Sequence, residues 1–413
     1  MREELRHYAI VTACYWAFTL SDGALRMLVL FHLHGLGFAP LEVISLFLFY
    51  ELFGIVTNAI GGYVGARTGL KLTLALGLAL QIAACGLLAT CADALSVPLA
   101  LLAQAVSGIA KDLTKMSAKS YLKVILPHAG DGTLLRWVAL LTGSKNALKG
   151  LGFFVGGALL SLVGFRAANL ALLALLAVAL CTALRLLPPA AGKSKTKAKL
   201  SQLFANDARI NWLAASRLFL FASRDAWFAF ALPIYAASSL GWSSALASGF
   251  LACWVIGYGI AQALAPRWLG TRATRGSSVV LWTAALVAPL GALLASLHLG
   301  APPALSLVLS LTLFGFVFAT DSALHSFLIV HFAAGDKVSL NVGFYYAANA
   351  TGRFLGTLAS GAVFQAAGLG ADGLAACIAV SLACVVLAAL CALPLARATA
   401  ARAGGEPSPP AQP

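Results

Sequence analysis

The chain has 413 residues, of which 61% are hydrophobic and only 10% charged, and its mean hydropathy is +0.90. That composition excludes an ordinary soluble domain and points to a polytopic helical membrane protein. The formal net charge is +14, but the basic residues are scattered through short loops and apolar segments with no separate basic domain, which argues against nucleic acid as a partner.

Twelve apolar stretches, each about 20 residues or longer, fall approximately at 9–33, 42–64, 72–91, 97–118, 137–163, 167–187, 210–236, 246–266, 277–297, 304–328, 341–366 and 373–395. The opening MREELRH is charged and the apolar run behind it is too long for a cleavable signal, so span 1 is expected to stay as an anchor. Span 1 carries Trp16, Asp22 and Arg26. Span 2 carries Glu51, which has no local ionic partner. After span 2, GGYVGARTGLK (61–71) resembles the loop signature of the major facilitator superfamily. Gly62, Arg67, Gly69 and Lys71 keep its places, whereas Ala66 stands where the signature has an acid and Leu70 where it has a base. The resemblance implies a gating loop at Gly62, Arg67, Gly69 and Lys71, and the missing acid weighs against the usual charge relay to the other half. A plain Gly-rich turn flanked by interfacial bases is the simpler alternative.

In span 4, Lys111, Lys115 and Lys119 recur every four residues and so stay near one face. If the span enters near Pro98, Lys111 lies a little below midplane and Lys115 deeper. Lys119 then either faces the same path or snorkels to the interface. Span 5 places Lys145 and Lys149 near the bilayer centre, beside Asn146. Its GFFVGG (152–157) resembles the Gly-Pro-x-x-Gly-Gly patch of the superfamily's antiporters, with Phe153 in place of proline. Span 7 carries Arg224 and Asp225, span 10 Asp321 and His325, and span 11 Arg353.

A charge at bilayer depth costs about 3 kcal/mol or more, so these residues are expected to face a polar pathway. Their positive surplus points to an anionic cargo, held by Arg26, Lys111, Lys115, Lys145, Lys149, Arg224 and Arg353. Guanidinium forks suit bidentate contact with phosphate-like oxygens, and lysines act as flexible point charges. Asp22, Glu51, Asp225, Asp321 and His325 are the proton-coupling candidates; charge compensation for the acids and a structural role for the histidine are the competing readings. Trp16, Trp227, Trp254, Tyr258, Tyr345 and Tyr346 either line the path or pack in lipid and core. The eight cysteines form no CxxC pair and read as packing residues. No metal site, cofactor or nucleophile–base motif is indicated, so an enzyme is not expected.

Basic loop residues such as Arg67, Lys123, Arg136, Arg272, Lys337 and Arg397 share one side, and Arg166 stands alone on the other. By the positive-inside rule both termini are cytoplasmic. Residues 188–206, rich in Lys with Pro and Gly, read as a cytoplasmic linker between halves at 1–187 and 207–396, followed by a disordered cytoplasmic tail at 397–413. A shift of about 204 residues aligns the halves: Asp22 with Asp225, Leu36-Gly37-Phe38 with Leu240-Gly241-Trp242, Lys149 with Arg353, and Gly152, Gly157 and Gly164 with Gly356, Gly361 and Gly368. A six-plus-six repeat marks a transporter with its site at midplane between the halves, a major facilitator fold of twelve transmembrane helices.

WAFTLSDGALRMLVL (16–30), LFLFYELFGIVTN (46–58), SGIAKDLTKMSAKS (107–120), RWVALLTGSKNALKG (136–150), RLFLFASRDAWF (217–228) and WVIGYGIAQ (254–262) together resemble the ArsJ family of organoarsenical efflux permeases. The resemblance runs from span 1 to span 11. It implies a bacterial inner-membrane protein that exports 1-arseno-3-phosphoglycerate and so gives arsenate resistance. It also implies a functional partnership with the glyceraldehyde-3-phosphate dehydrogenase that makes this ester. An exchanger of organophosphates or other oxyanions is the alternative. A monomer surrounded by membrane lipid is expected.

Overall fold

The computed structural model describes residues 2–35, 40–126, 130–188, 207–333 and 337–403. Helices α1 (Arg2–Gly35), α2 (Pro40–Thr68), α3 (Leu70–Thr90), α4 (Val97–Ile125) and α5 (Asp131–Leu186) build the N-terminal half. Gly164 takes φ 77° inside α5 and turns it into two antiparallel crossings. Its repeat partner Gly368 takes φ 102° in the turn after α13. A side chain at either φ would be strained, so the repeated glycines mark the same hairpin in each half.

The C-terminal half comprises α6 (Ala208–Phe228), α7 (Ala231–Ser238), α8 (Ser244–Leu264), α9 (Pro266–Leu269), α10 (Gly276–Ala285), α11 (Val287–His298), α12 (Pro303–Phe332), α13 (Val338–Ala366) and α14 (Ala371–Ala403). Three crossings expected as single helices are broken here, at 229–230, 265 and 286. Pro233, Pro266 and Pro289 each lack the N–H that would bond one turn back, and the breaks lie at or just before them. α14 remains helical to Ala403, past residue 396 where the tail was expected to begin. The expected linker from 189 to 206, the repeat segment 36–39 and the tail from 404 lie outside the described residues.

Among the described residues the chain makes twelve crossings, yet only six helices, or seven with the bent α8–α9 pair, are apolar enough to qualify by composition alone. One of the six, α5, crosses twice. The helices that fall short are α1, α2, α4 and α13, which carry most of the internal charges. Within each half α1 packs on α5, α2 and α3 on α4, and α6 on α13 and α14.

The halves meet along α2 with α13 and α5 with α8. Small residues allow this close approach. A Cβ added to Gly62 would lie 2.6 Å from the Ser339 carbonyl oxygen, and one on Gly143 would lie 2.4 Å from the Gly259 carbonyl oxygen. Both contacts lie toward the end of the bundle that carries the basic loops, where His331 Nδ1 also meets Asp131 Oδ1 at 2.9 Å.

Candidate functional site

α1, α2, α4, α5, α6 and α13 bring charges from distant parts of the chain into one cluster between the halves. Asp22 on α1 accepts a hydrogen bond from the Tyr50 hydroxyl at 2.6 Å and lies 3.9 Å from Lys149 Nζ on α5. Asp225 on α6 accepts from Arg224 Nε at 2.6 Å and from Arg353 Nε on α13 at 3.1 Å. Since Asp22 aligns with Asp225 and Lys149 with Arg353, each half holds the same acid–base pair at the same place in its repeat.

Glu51, which has no partner nearby in sequence, joins the two pairs. One of its oxygens lies 2.6 Å from Arg353 Nη2 in the opposite half and 3.7 Å from Arg26, and the other lies 3.6 Å from Lys111 Nζ. On α4, Asp112 is bonded to Lys115 and lies 3.6 Å from Lys111. Aromatic faces complete the cation shell: Lys111 Nζ sits 3.7 Å from the Tyr50 ring centre, the Arg26 guanidinium 4.2 Å from the same ring, and Lys115 Nζ 4.6 Å from Tyr346.

The cluster is asymmetric in charge and in exposure. Six cations meet four carboxylates, and the cation side chains are 11–21% exposed against 1–6% for the acids. The side chains of the cations are thus less deeply buried than those of the acids they pair with.

Toward the basic end lies a second polar group. Lys119 is 3% exposed and donates to Thr142 Oγ1 at 2.7 Å, so it turns inward and does not snorkel. Lys145 donates to Asn146 Oδ1 at 3.2 Å. Asn146 donates across the halves to Gln262 Oε1 at 2.6 Å. Arg217, which the sequence analysis did not single out, is 3% exposed and donates to Asn349 Oδ1 at 2.8 Å and to Ser322 Oγ at 3.0 Å. Its depth in the core is not visible in the sequence, where an arginine near the start of a span reads as interfacial.

Asp321 and His325 lie apart from the cation cluster, inside the C-terminal half. Both are fully buried, with His325 Nε2 3.7 Å from Asp321 Oδ1 and the Thr283 hydroxyl donating to Asp321 Oδ2 at 2.8 Å. The expected gating loop is spread over three contacts. Gly62 meets α13, Arg67 donates to the Tyr63 hydroxyl at 2.8 Å, and Lys71 donates to the Leu187 carbonyl at 2.7 Å. Gly69 caps α3 at φ 95°. Ala66, where the superfamily signature has an acid, is buried with Leu340 against Tyr63 and Phe344, so an apolar contact between halves occupies that place. Among the aromatics, Trp227 and Trp254 pack with Phe314 in the core of the C-terminal half, Trp16 is exposed, and Tyr258, Tyr345 and Tyr346 border the polar groups.

No family model matches the sequence, and no curated protein sequence matches it either. Solved structures do match over nearly the whole chain. A bacterial homologue of the iron transporter ferroportin, in an outward-facing state, is similar with TM-score 0.74 and 14% identity over 94% of this chain and 98% of that one. The human organic anion transporter TETRAN is similar with TM-score 0.71 and 16% identity over 94% and 99%. The major facilitator superfamily proton:xylose symporter XylE is similar with TM-score 0.68 and 14% identity over 94% and 95%. The chain has the major facilitator fold.

Proposed function

We propose that this protein is a secondary transporter that exports a multiply charged organic oxyanion by alternating access, and that its cargo is the organoarsenical 1-arseno-3-phosphoglycerate. The observation that carries this reading is the excess of largely buried cations over carboxylates between the halves. Like charges packed at bilayer depth repel and are costly to desolvate. A chain retains them where an anion repays the cost during each cycle. An ester with a phosphate at one end and an arsenate at the other needs several fixed cations to replace its hydration. The resemblance of six segments to organoarsenical permeases selects this cargo from among polyanions.

In this reading Arg26, Lys111, Lys115, Lys149, Arg224 and Arg353 take the anion, with Lys145 below them. Glu51 and Asp225 hold Arg353 until the anion displaces them. Rocking of the halves about α2–α13 and α5–α8 exposes the site alternately to each side of the bacterial inner membrane. Asp22, Glu51, Asp225, Asp321 and His325 remain the groups able to couple the cycle to protons. The fold neighbour named as an organic anion transporter is compatible with the wider class of cargo, and an organophosphate exchanger is the second reading, because nothing in the cluster distinguishes arsenate from phosphate oxygens.

The test is cellular arsenic content in an arsenate-sensitive bacterium without its own arsenate exporters. Expression of this chain together with a glyceraldehyde-3-phosphate dehydrogenase should lower cell arsenic and restore growth on arsenate. Neither chain should do so alone. Protection by this chain without the dehydrogenase, in a host also lacking its own copy, would contradict the arseno-ester as cargo.

A further inference from the structure

The cations of the core divide into two chemically different sets. Those of the upper cluster each have a carboxylate within salt-bridge distance. Among the described residues, no salt bridge involves Lys119, Lys145 or Arg217. The acid next to Ser322 is Asp321, whose Oδ2 accepts from Thr283 and whose Oδ1 lies 3.7 Å from His325 Nε2.

These three cations are brought together from both halves. Lys119 on α4 reaches Thr142 of α5, three residues before Lys145, which itself donates to Asn146. Arg217 stands on α6. Asn146, Gln262 and Ser322 form a hydrogen-bonded chain between them at 2.6, 3.1 and 3.0 Å. Tyr346 lies 5.3 Å from Lys119, Tyr345 lies 5.5 Å from Arg217, and the two rings are 4.9 Å apart.

Ser322 Oγ is shared by Arg217, Gln262 and the Tyr258 hydroxyl, at 3.0, 3.1 and 3.0 Å, which uses its two lone pairs and its one proton. The Tyr345 hydroxyl is buried with no hydrogen-bond partner. Three cations without a salt-bridged carboxylate thus stand beside an unpartnered hydroxyl, a setting that the acceptor oxygens of an anion would complete.

We propose that Lys119, Lys145 and Arg217 form a second anion subsite, which takes one oxyanion end of a cargo whose other end lies in the Arg26, Lys149 and Arg353 cluster. The inference rests on the anion-carrier reading above and specifies the cargo class: a short molecule with an oxyanion at both ends. The spacing agrees with that class. Arg217 precedes Arg224 by two helical turns on α6, roughly 10 Å along the axis, and long basic side chains close the gap to the reach of a three-carbon chain.

The experiment is equilibrium binding to the full chain in detergent, with inorganic phosphate and 3-phosphoglycerate as probes. Phosphate fills one subsite, while 3-phosphoglycerate carries an oxyanion at each end. The unmodified protein should bind 3-phosphoglycerate about tenfold or more tightly than phosphate, since a charge-assisted contact at the second subsite adds to the first. Lys145→Gln and Arg217→Gln should weaken 3-phosphoglycerate binding far more than phosphate binding and so remove that advantage. Lys149→Gln should weaken both probes. Arg217→Lys, which keeps charge and bulk, should lose part of the advantage, and it carries the test if Arg217→Gln does not fold. Equal weakening of both probes by the Lys145 and Arg217 variants would overturn the second subsite and leave a single anion site standing. Unchanged binding of both probes in those variants would assign the three cations to structure and overturn it too. Failure of the unmodified protein to bind either probe would overturn the carrier reading itself.

Discussion

Arg353 takes hydrogen-bonding or ionic partners from both halves, Glu51 at 2.6 Å and Asp225 at 3.1 Å. Removing it deprives Glu51 of its closest cation and leaves Asp225 with Arg224 alone among its two salt-bridge partners. Breaking a buried pair from one side costs about 3–5 kcal/mol; the lower end applies because Lys111 and Arg26 remain 3.6 and 3.7 Å from Glu51. Arg353→Ala should therefore lower the thermal unfolding midpoint of the detergent-solubilised protein, and Glu51→Gln added to it should recover part of the loss. Additive losses in the double variant would show that the two residues are not coupled. The intramembrane charges themselves are legible in the sequence, because a lysine within an apolar stretch has few explanations. Their partners are not. Glu51 and Arg353 lie in different halves, and only packing of α2 on α13 shows that they meet. Arg217 is hidden for a related reason: Ser322 and Asn349, which hold it in the core, come from α12 and α13.

At the scale of elements, the contact between α2 and α13 depends on glycine at both positions. A Cβ on Gly343 would lie 2.7 Å from the Asn58 carbonyl oxygen, a backbone atom that cannot rotate away. Gly343→Val should force the helices toward the ordinary separation of about 8–10 Å and open the basic end. Spin labels at the exposed positions Arg67→Cys and Lys337→Cys, in a background without the native cysteines, should report a longer distance in the Gly343→Val protein. An unchanged distance would contradict a gate at this crossing. Repeated glycines were readable as a pattern, and Gly164 and Gly368 do occupy equivalent turns. The breaks in three crossings were not anticipated from span lengths, although Pro233, Pro266 and Pro289 marked them: hydropathy measures depth and is blind to the missing N–H.

For the whole molecule, the fold was the most legible level, since twelve apolar stretches and a repeat near 204 residues leave few architectures. The cargo is less legible, because charge selects a class and only the segment resemblance selects a member. The contacts between the halves toward the basic end at Gly62, Gly143 and the His331–Asp131 pair fit a carrier closed on that side. The most direct measurement is arsenic accumulation in inside-out membrane vesicles supplied externally with arsenate, glyceraldehyde 3-phosphate, NAD and the dehydrogenase. The account predicts uptake that needs this protein and all four additions, and that is lost in the Lys149→Ala and Arg353→Ala proteins while both remain in the membrane. Uptake of arsenate alone, or undiminished uptake by both variants, would contradict it.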